Sequence, residues 1–262
     1  MPVVPAAGRW CDRAVTLRDA YADLVLGASC LGCGRPGRML CPRCWAGLPR
    51  TAYDTRPRPC PRGLARATAT APYDGLVKAM INGLKERQLL GLARPLGDLL
   101  ALAVDRLLAA TPEAALVLVP VPSRRSSVRA RGFDSTRALT KRAARTLEVQ
   151  GGRPAVTVAP LLRTRAGLQD QAGLDAAGRS ANLANALTCP SAALRRLATT
   201  HPAATLVLCD DVITTGATAR EAQRALADVG LPIVGIAAVA ATVRRSFHDR
   251  RPGSLSCQED AH

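Results

Sequence analysis

The stretch LVLCDDVITTGAT, residues 206–218, constrains the fold more than any other part of the chain. Four apolar positions end in two adjacent aspartates, Asp210 and Asp211. A loop of threonine, glycine and alanine then leads into the amphipathic run ATAREAQRALADVG, with Gly230 as its stop signal. Strand, small-residue loop and helix in that order form the junction at which open parallel α/β sheets bind anions, because loop amides and the helix N-terminus both present positive charge there. Thr214, Thr215, Gly216, Ala217 and Thr218 are small enough for backbone amides to close around a monophosphate, and the threonine hydroxyls add donors. Asp210 and Asp211 stand one loop-length ahead of that cradle. This is the separation expected for a ligand carrying a phosphate and a pair of hydroxyls, as a ribose 5-phosphate does. Carboxylates accept hydrogen bonds from the 2′ and 3′ hydroxyls, and their charge stabilises a developing oxocarbenium ion at the anomeric carbon. Helix capping accounts for one such acid, not for two.

The rest of the sequence repeats the alternation. Asp74 is placed to cap a helix through Leu76, Val77, Met80 and Ile81, and LLGLARPLGDLLALAVDRLLAA predicts a longer helix broken at Pro95. ALVLVPVP, AVTVAPLLR and PIVGIAAVAAT predict strands, with RALTKRAARTLEV helical between the first two. Strands buried on both faces and alternating with helices specify an α/β fold, a parallel sheet flanked by helices. Upstream, Leu17, Tyr21, Leu24 and Val25 share one helical face. The Pro- and Arg-rich LPRTAYDTRPRPCPRGLAR cannot sustain a helix or a central strand. The expected organisation is an N-terminal helix and cysteine module over 1–50, a linker over 51–71, the α/β domain over 72–245 and a disordered polar tail over 246–262.

CLGCGRPGRMLCPRCW sets Cys30, Cys33, Cys41 and Cys44 as two CxxC pairs, with Gly34 at the tight turn after the first. Four thiolates at this spacing suit a closed, structural Zn²⁺ site; a redox dithiol and an iron–sulfur site share the same ligand chemistry. Cys11, Cys60, Cys189, Cys209 and Cys257 read as plain thiols. The sequence opens on no basic-then-apolar leader and has no apolar run of membrane-spanning length, so a cytoplasmic protein without membrane insertion is expected. A formal charge of +16 points to anionic partners, namely phosphorylated small molecules, nucleic acid or a membrane surface. Aromatic residues make up only 3% of the chain, which leaves few platforms for stacking unpaired bases. His201, His248 and His262 fall in loops or the tail, and no catalytic triad or Walker lysine motif competes with the acidic pair.

The 206–218 segment resembles the phosphoribosyl pyrophosphate (PRPP) signature of type I phosphoribosyltransferases, with Cys209 in place of the usual aliphatic residue. LKERQ (84–88), VPVP (119–122), RARGF (129–133), LLRTR (161–165) and QAGLDAAGRSANL (171–183) occur in the order and spacing of the ComF family, a competence-associated, phosphoribosyltransferase-like group. The likeness spans roughly residues 29–242. It implies a type I phosphoribosyltransferase fold with a small N-terminal zinc-knuckle module. The implied activity is Mg²⁺-dependent transfer of a phosphoribosyl group from PRPP, with release of pyrophosphate, to an acceptor the sequence does not name. Asp210 and Asp211 are then catalytic, and residues 214–218 hold the 5-phosphate. Ser123, Arg124 and the adjacent Arg125 follow the first core strand, where type I enzymes hold pyrophosphate. Lys85, Arg131, Gln171, Arg179 and Asn182 are carried over by resemblance alone, as anion contacts or loop-closing residues. The resemblance also implies a link to DNA uptake, with single-stranded DNA or other DNA-uptake proteins as partners. A non-catalytic PRPP or nucleotide sensor would keep the same cradle. Two positions depart from the family pattern. Asp134 stands where Asn usually follows RGF, adding negative charge beside the expected phosphate pocket, and Leu187 stands where an aromatic is common. A second metal is not expected, because Cys60 has no paired cysteine beside it.

Overall fold

The continuous apolar runs of the sequence become the centre of a sheet. The computed structural model describes residues 29–109, 111, 114–123, 125–151, 156–165 and 185–242. Six strands, β1 (Tyr53–Thr55), β2 (Ala67–Pro72), β3 (Leu116–Pro120), β4 (Val156–Val158), β7 (Thr205–Ile213) and β8 (Gly235–Ala241), pair in the order β1-β2-β8-β7-β3-β4. Every pairing is parallel except that of β1 with β2. A separate antiparallel ribbon joins β5 (Arg163–Thr164) to β6 (Leu187–Thr188). All positions of β3 and β8 are buried, as strands covered on both faces require.

The described residues include seven helices: α1 (Pro42–Ala46), α2 (Gly75–Glu86), α3 (Ala93–Leu108), α4 (Arg125–Arg131), α5 (Ser135–Gly151), α6 (Ser191–Thr200) and α7 (Ala217–Ala227). The period of two along each strand divides the core. Leu116, Leu118, Val207, Cys209, Ala237 and Val239 pack with Met80 of α2, Leu96 and Leu100 of α3 and Leu147 of α5. The alternate residues Val117, Val119, Leu206, Leu208, Ile236 and Ala238 pack with Ala222 and Leu226 of α7 and Leu197 of α6. Each fully buried Leu stabilises the fold by about 1.5–3 kcal/mol, so the six-strand layer is held firmly from both sides. Two polar residues of β2 are satisfied in the same core. Thr68 and Thr70, both buried, donate their hydroxyls to the carbonyls of Ala103 (2.8 Å) and Leu99 (2.7 Å) in α3.

Residues 51–71, expected as a linker, instead supply β1 and most of β2. The Pro- and Arg-rich composition excludes a helix, but a three-residue edge strand tolerates it, and β2 starts where that composition ends. The loop between the two strands is tied down by α7. Arg220 Nε donates to Arg62 O and Gln223 Nε2 to Gly63 O, while Gln223 Oε1 accepts from Ala65 N–H, all at 2.9 Å. Pro95 does not break a helix: α3 begins at Ala93, after a 3₁₀ turn over Leu90–Leu92. Proline in a first turn removes only an amide that has no intrahelical partner. Asp74 occupies the N-cap position of α2 but makes no capping hydrogen bond with its side chain. The helix expected around residues 17–25 and the tail lie outside the described residues. No helix among the described residues is long and apolar enough to cross a membrane.

Candidate functional site

The strand order locates a crevice before any side chain is considered. From β3 the chain passes through α5 outward to β4, and from the neighbouring β7 it passes through α7 in the opposite direction to β8. α5 packs on one face of the sheet and α7 on the other. Adjacent parallel strands whose connections diverge in this way leave a gap outside their carboxyl ends, the usual ligand position in such sheets. The chain leaving β3 stays beside β7 at this end, where Val121 N–H donates to Cys209 O at 2.8 Å.

Strand β7 runs through Ile213, so Asp210 and Asp211 lie near the end of the strand rather than in the loop. Asp211 is buried, and its carboxylate forms an ion pair with Lys85 Nζ at the C-terminal end of α2. Lys85, named only by resemblance from a segment far upstream, is thus brought to the acidic pair. Asp210 Oδ1 accepts a hydrogen bond from the Asp211 N–H at 2.8 Å. Desolvation, followed by the charge of Asp211, pushes the Asp210 carboxyl well above the ordinary carboxylate range. The two neighbouring acids therefore differ. Asp211 is a neutralised partner of a lysine, whereas Asp210 is a carboxyl with a strong affinity for a proton or a hydrogen-bond donor.

Gly216 begins α7 in the left-handed region, with φ 72° and ψ 1°. A Cβ at this position would stand 2.9 Å from Pro57 Cγ and 3.1 Å from Leu64 Cδ2, so glycine is required by both conformation and space. Those neighbours belong to the loop between β1 and β2, which packs against the threonine turn. Nothing in the local sequence around Gly216 announces that contact. Thr214, Thr215 and Thr218 are exposed, Ala217 is half-buried, and the Thr215 hydroxyl accepts from the Ala217 N–H at 3.4 Å.

On the β3 side, Ser123 donates its hydroxyl to Asp134 Oδ1 at 2.9 Å, and the same carboxylate accepts from Arg137 N–H at 3.1 Å. Asp134 therefore caps α5 and anchors the loop. A serine expected to hold pyrophosphate is engaged by this acid, and a helix N-terminus stabilises the acid's charge. Arg131 Nε donates to Ser127 O at 2.9 Å, and its Nη1 lies 3.5 Å from Lys85 O, which links α4 to the end of α2. Arg124, Gln171, Arg179 and Asn182 lie outside the described residues, and α4 starts at Arg125.

The cysteine cluster is the second candidate site. The four Sγ atoms of Cys30, Cys33, Cys41 and Cys44 all lie within 4.8 Å of one another, with Cys33 and Cys41 at 3.6 Å. A tetrahedral site with metal–sulfur bonds of about 2.3 Å spaces its sulfurs by about 3.8 Å, so the donor set fits a metal ion such as Zn²⁺. Gly34 takes the expected turn with φ 73°. Backbone amides tune the sulfurs. Cys41 N–H donates to Cys30 Sγ at 3.3 Å, and Cys44 N–H donates to Cys41 Sγ at 3.5 Å. Burial raises Cys30, but the amides of Cys41, Gly32 and Cys33 outweigh it and bring the thiol down to about 6. The Cys44 amide lowers Cys41. Cys44 is pushed up to about 12, first by its hydrogen bond with the Cys41 side chain and then by burial. The amides thus favour the thiolate form of Cys30 and Cys41, whereas Cys44 holds its proton more tightly than a free thiol. The module is not free-standing: Cys30, Leu40, Cys41 and Leu48 join the core formed by α2, α3 and α5. A scan of protein-family models gives no match to this sequence, and neither does a search of curated proteins.

Proposed function

We propose that the crevice between β3 and β7 binds PRPP with Mg²⁺, and that the protein transfers the phosphoribosyl group to a nucleophilic acceptor with release of pyrophosphate. On this reading the sheet is a type I phosphoribosyltransferase fold and the chain a ComF-like protein. One observation carries the reading: an acidic pair and a glycine-opened threonine turn lie in succession at the carboxyl end of β7, where the chain connections diverge. Asp210 and Asp211 are placed for ribose hydroxyls, and the 214–218 segment for the 5-phosphate. A ligand hydroxyl donating to Asp210 would replace the hydration this carboxyl has lost. Lys85 is positioned to leave Asp211 for an anionic oxygen of the ligand, and Arg131 steadies the end of α2 from which Lys85 reaches. Mg²⁺ supplies charge neutralisation of the pyrophosphate leaving group when bound. The four-cysteine cluster, held as a structural Zn²⁺ knuckle, supports α2 from behind.

A binding-only protein, a PRPP sensor, would use the same residues. The Lys85–Asp211 ion pair favours that reading, because a carboxylate neutralised by lysine stabilises an oxocarbenium ion less. Pyrophosphate release from PRPP and Mg²⁺, measured across a panel of nucleobases and amines, separates the two. Transfer predicts acceptor-dependent release that falls at least about 100-fold in the doubly substituted D210N/D211N protein. PRPP binding without release for any acceptor makes the protein a sensor.

A further inference from the structure

A second cleft, with a cavity volume of about 570 Å³, lies between the cysteine knuckle, the turn into α3 and the outer side of α5. Its lining carries five cationic side chains, Arg38, Arg94, Lys141, Arg142 and Arg145, and no carboxylate. Arg142 leans on Asp98, whose Oδ1 is 3.2 Å from its Nε. Arg38, Lys141 and Arg145 have no ion-pair partner among the described residues. Cations gathered in a concave surface reinforce one another's potential and repel one another until an anion enters. The apolar part of the lining is equally specific. Met39, Trp45 and Leu90 contribute to it, and Leu90 is 59% exposed, one of three large hydrophobic side chains left uncovered among the described residues. The Arg94 guanidinium lies 5.5 Å from the centroid of the Trp45 ring and orients the indole. None of these residues belongs to the β3/β7 crevice.

We propose that this cleft binds a nucleoside phosphate as a free nucleotide. Its phosphates pair with Arg38, Lys141, Arg142 and Arg145, and its base lies against Trp45 and Leu90. Arginine forks match phosphate oxygens two at a time, which suits a di- or monophosphate better than a single carboxylate. The volume falls within the range of about 300–1,000 Å³ typical of small-molecule sites. Strand-binding grooves use a succession of aromatic platforms, whereas this lining offers one indole, so the occupant is one nucleotide and not a strand. The proposal does not rest on the PRPP reading of the other site.

The test is calorimetric titration of the full chain with adenosine diphosphate, with pyrophosphate and dodecathymidylate titrated in parallel, in the wild type and in K141A/R145A. Both substituted residues are exposed on α5, so the variant is expected to fold. Adenosine diphosphate should bind and quench Trp45 emission in a W10F chain. K141A/R145A should weaken it at least tenfold while leaving any PRPP-dependent rise in Tm unchanged. Failure of adenosine diphosphate to bind, binding unaltered in K141A/R145A, pyrophosphate binding as tightly as the nucleotide, or dodecathymidylate binding far more tightly than the nucleotide would each overturn the proposal.

Discussion

The cysteine knuckle and the acidic end of β7 are both clusters of ionisable groups brought into contact, yet they are built in opposite ways. The knuckle draws all four sulfurs from one short segment, with its own turns and its own amides donating to sulfur. The acidic site draws on the whole fold: Lys85 comes from the end of α2, and the loop over Gly216 comes from between β1 and β2. Local chemistry sets the first site, and long-range topology sets the second. The knuckle should therefore answer to metal binding, and the acidic pair to its packing.

The largest expected effect is at the knuckle. Cys30→Ser with Cys41→Ser should remove bound zinc, detected by metal analysis of the purified protein. Loss of a metal belongs to the few changes that cost more than about 4 kcal/mol in urea unfolding, because Cys30 and Cys41 are also part of the main core. A metal-free variant of unchanged stability would refute a structural metal. Zinc retention should also depend on pH. A cluster whose Cys44 holds its proton up to about 12 without a cation must lose that proton to bind one, so lowering the pH should release the metal.

Next come the two aspartates, which should respond with opposite signs. Asp211→Asn strands the partly buried Lys85 ammonium and should cost about 1.5–3 kcal/mol, the value of a hydrogen bond to a charged group. A double-mutant cycle with Lys85→Met should recover part of that loss, and simple additivity would mean the ion pair carries no coupling.

Asp210→Asn should have the smallest effect and the reverse direction, a rise of a few degrees in Tm at neutral pH in the ligand-free protein. The sign follows from linkage. A carboxyl whose folded-state pKa is raised binds more protons folded than unfolded, so the wild type loses stability as pH climbs from the ordinary carboxylate value toward the raised one. The gain in D210N should therefore shrink toward zero below the ordinary carboxylate value. A gain that persists unchanged at acidic pH would mean the effect is packing, not charge.

The same contrast explains what can be read from the chain. The sulfur ligands of the knuckle and the strands β3, β7 and β8 are legible because spacing and apolar runs are local signals. Pro95 misleads because a proline's meaning depends on whether it falls in the first turn or the middle of a helix, and the start of α3 depends on the preceding 3₁₀ turn. The role of 51–71 is hidden for a different reason. β2 is held by β8, and the loop that joins β1 to β2 by Arg220 and Gln223 of α7, partners at the far end of the sequence. The negative charge of Asp134, which the sequence sets beside the expected phosphate pocket, is accounted for by its cap on α5 and its bond to Ser123, a pairing visible only once β3 and α5 are placed.

The measurement that bears most directly on the central claim is thermal unfolding with and without PRPP and Mg²⁺. Saturation at about 100 times Kd corresponds to roughly 2.7 kcal/mol of added stability, a rise of about 5 °C or more for a chain of this size. The wild type should show this rise and the doubly substituted D210N/D211N protein should not. An unchanged Tm in the wild type at saturating PRPP, or an equal rise in both proteins, would contradict the assignment of the acidic pair to the ribose of that ligand.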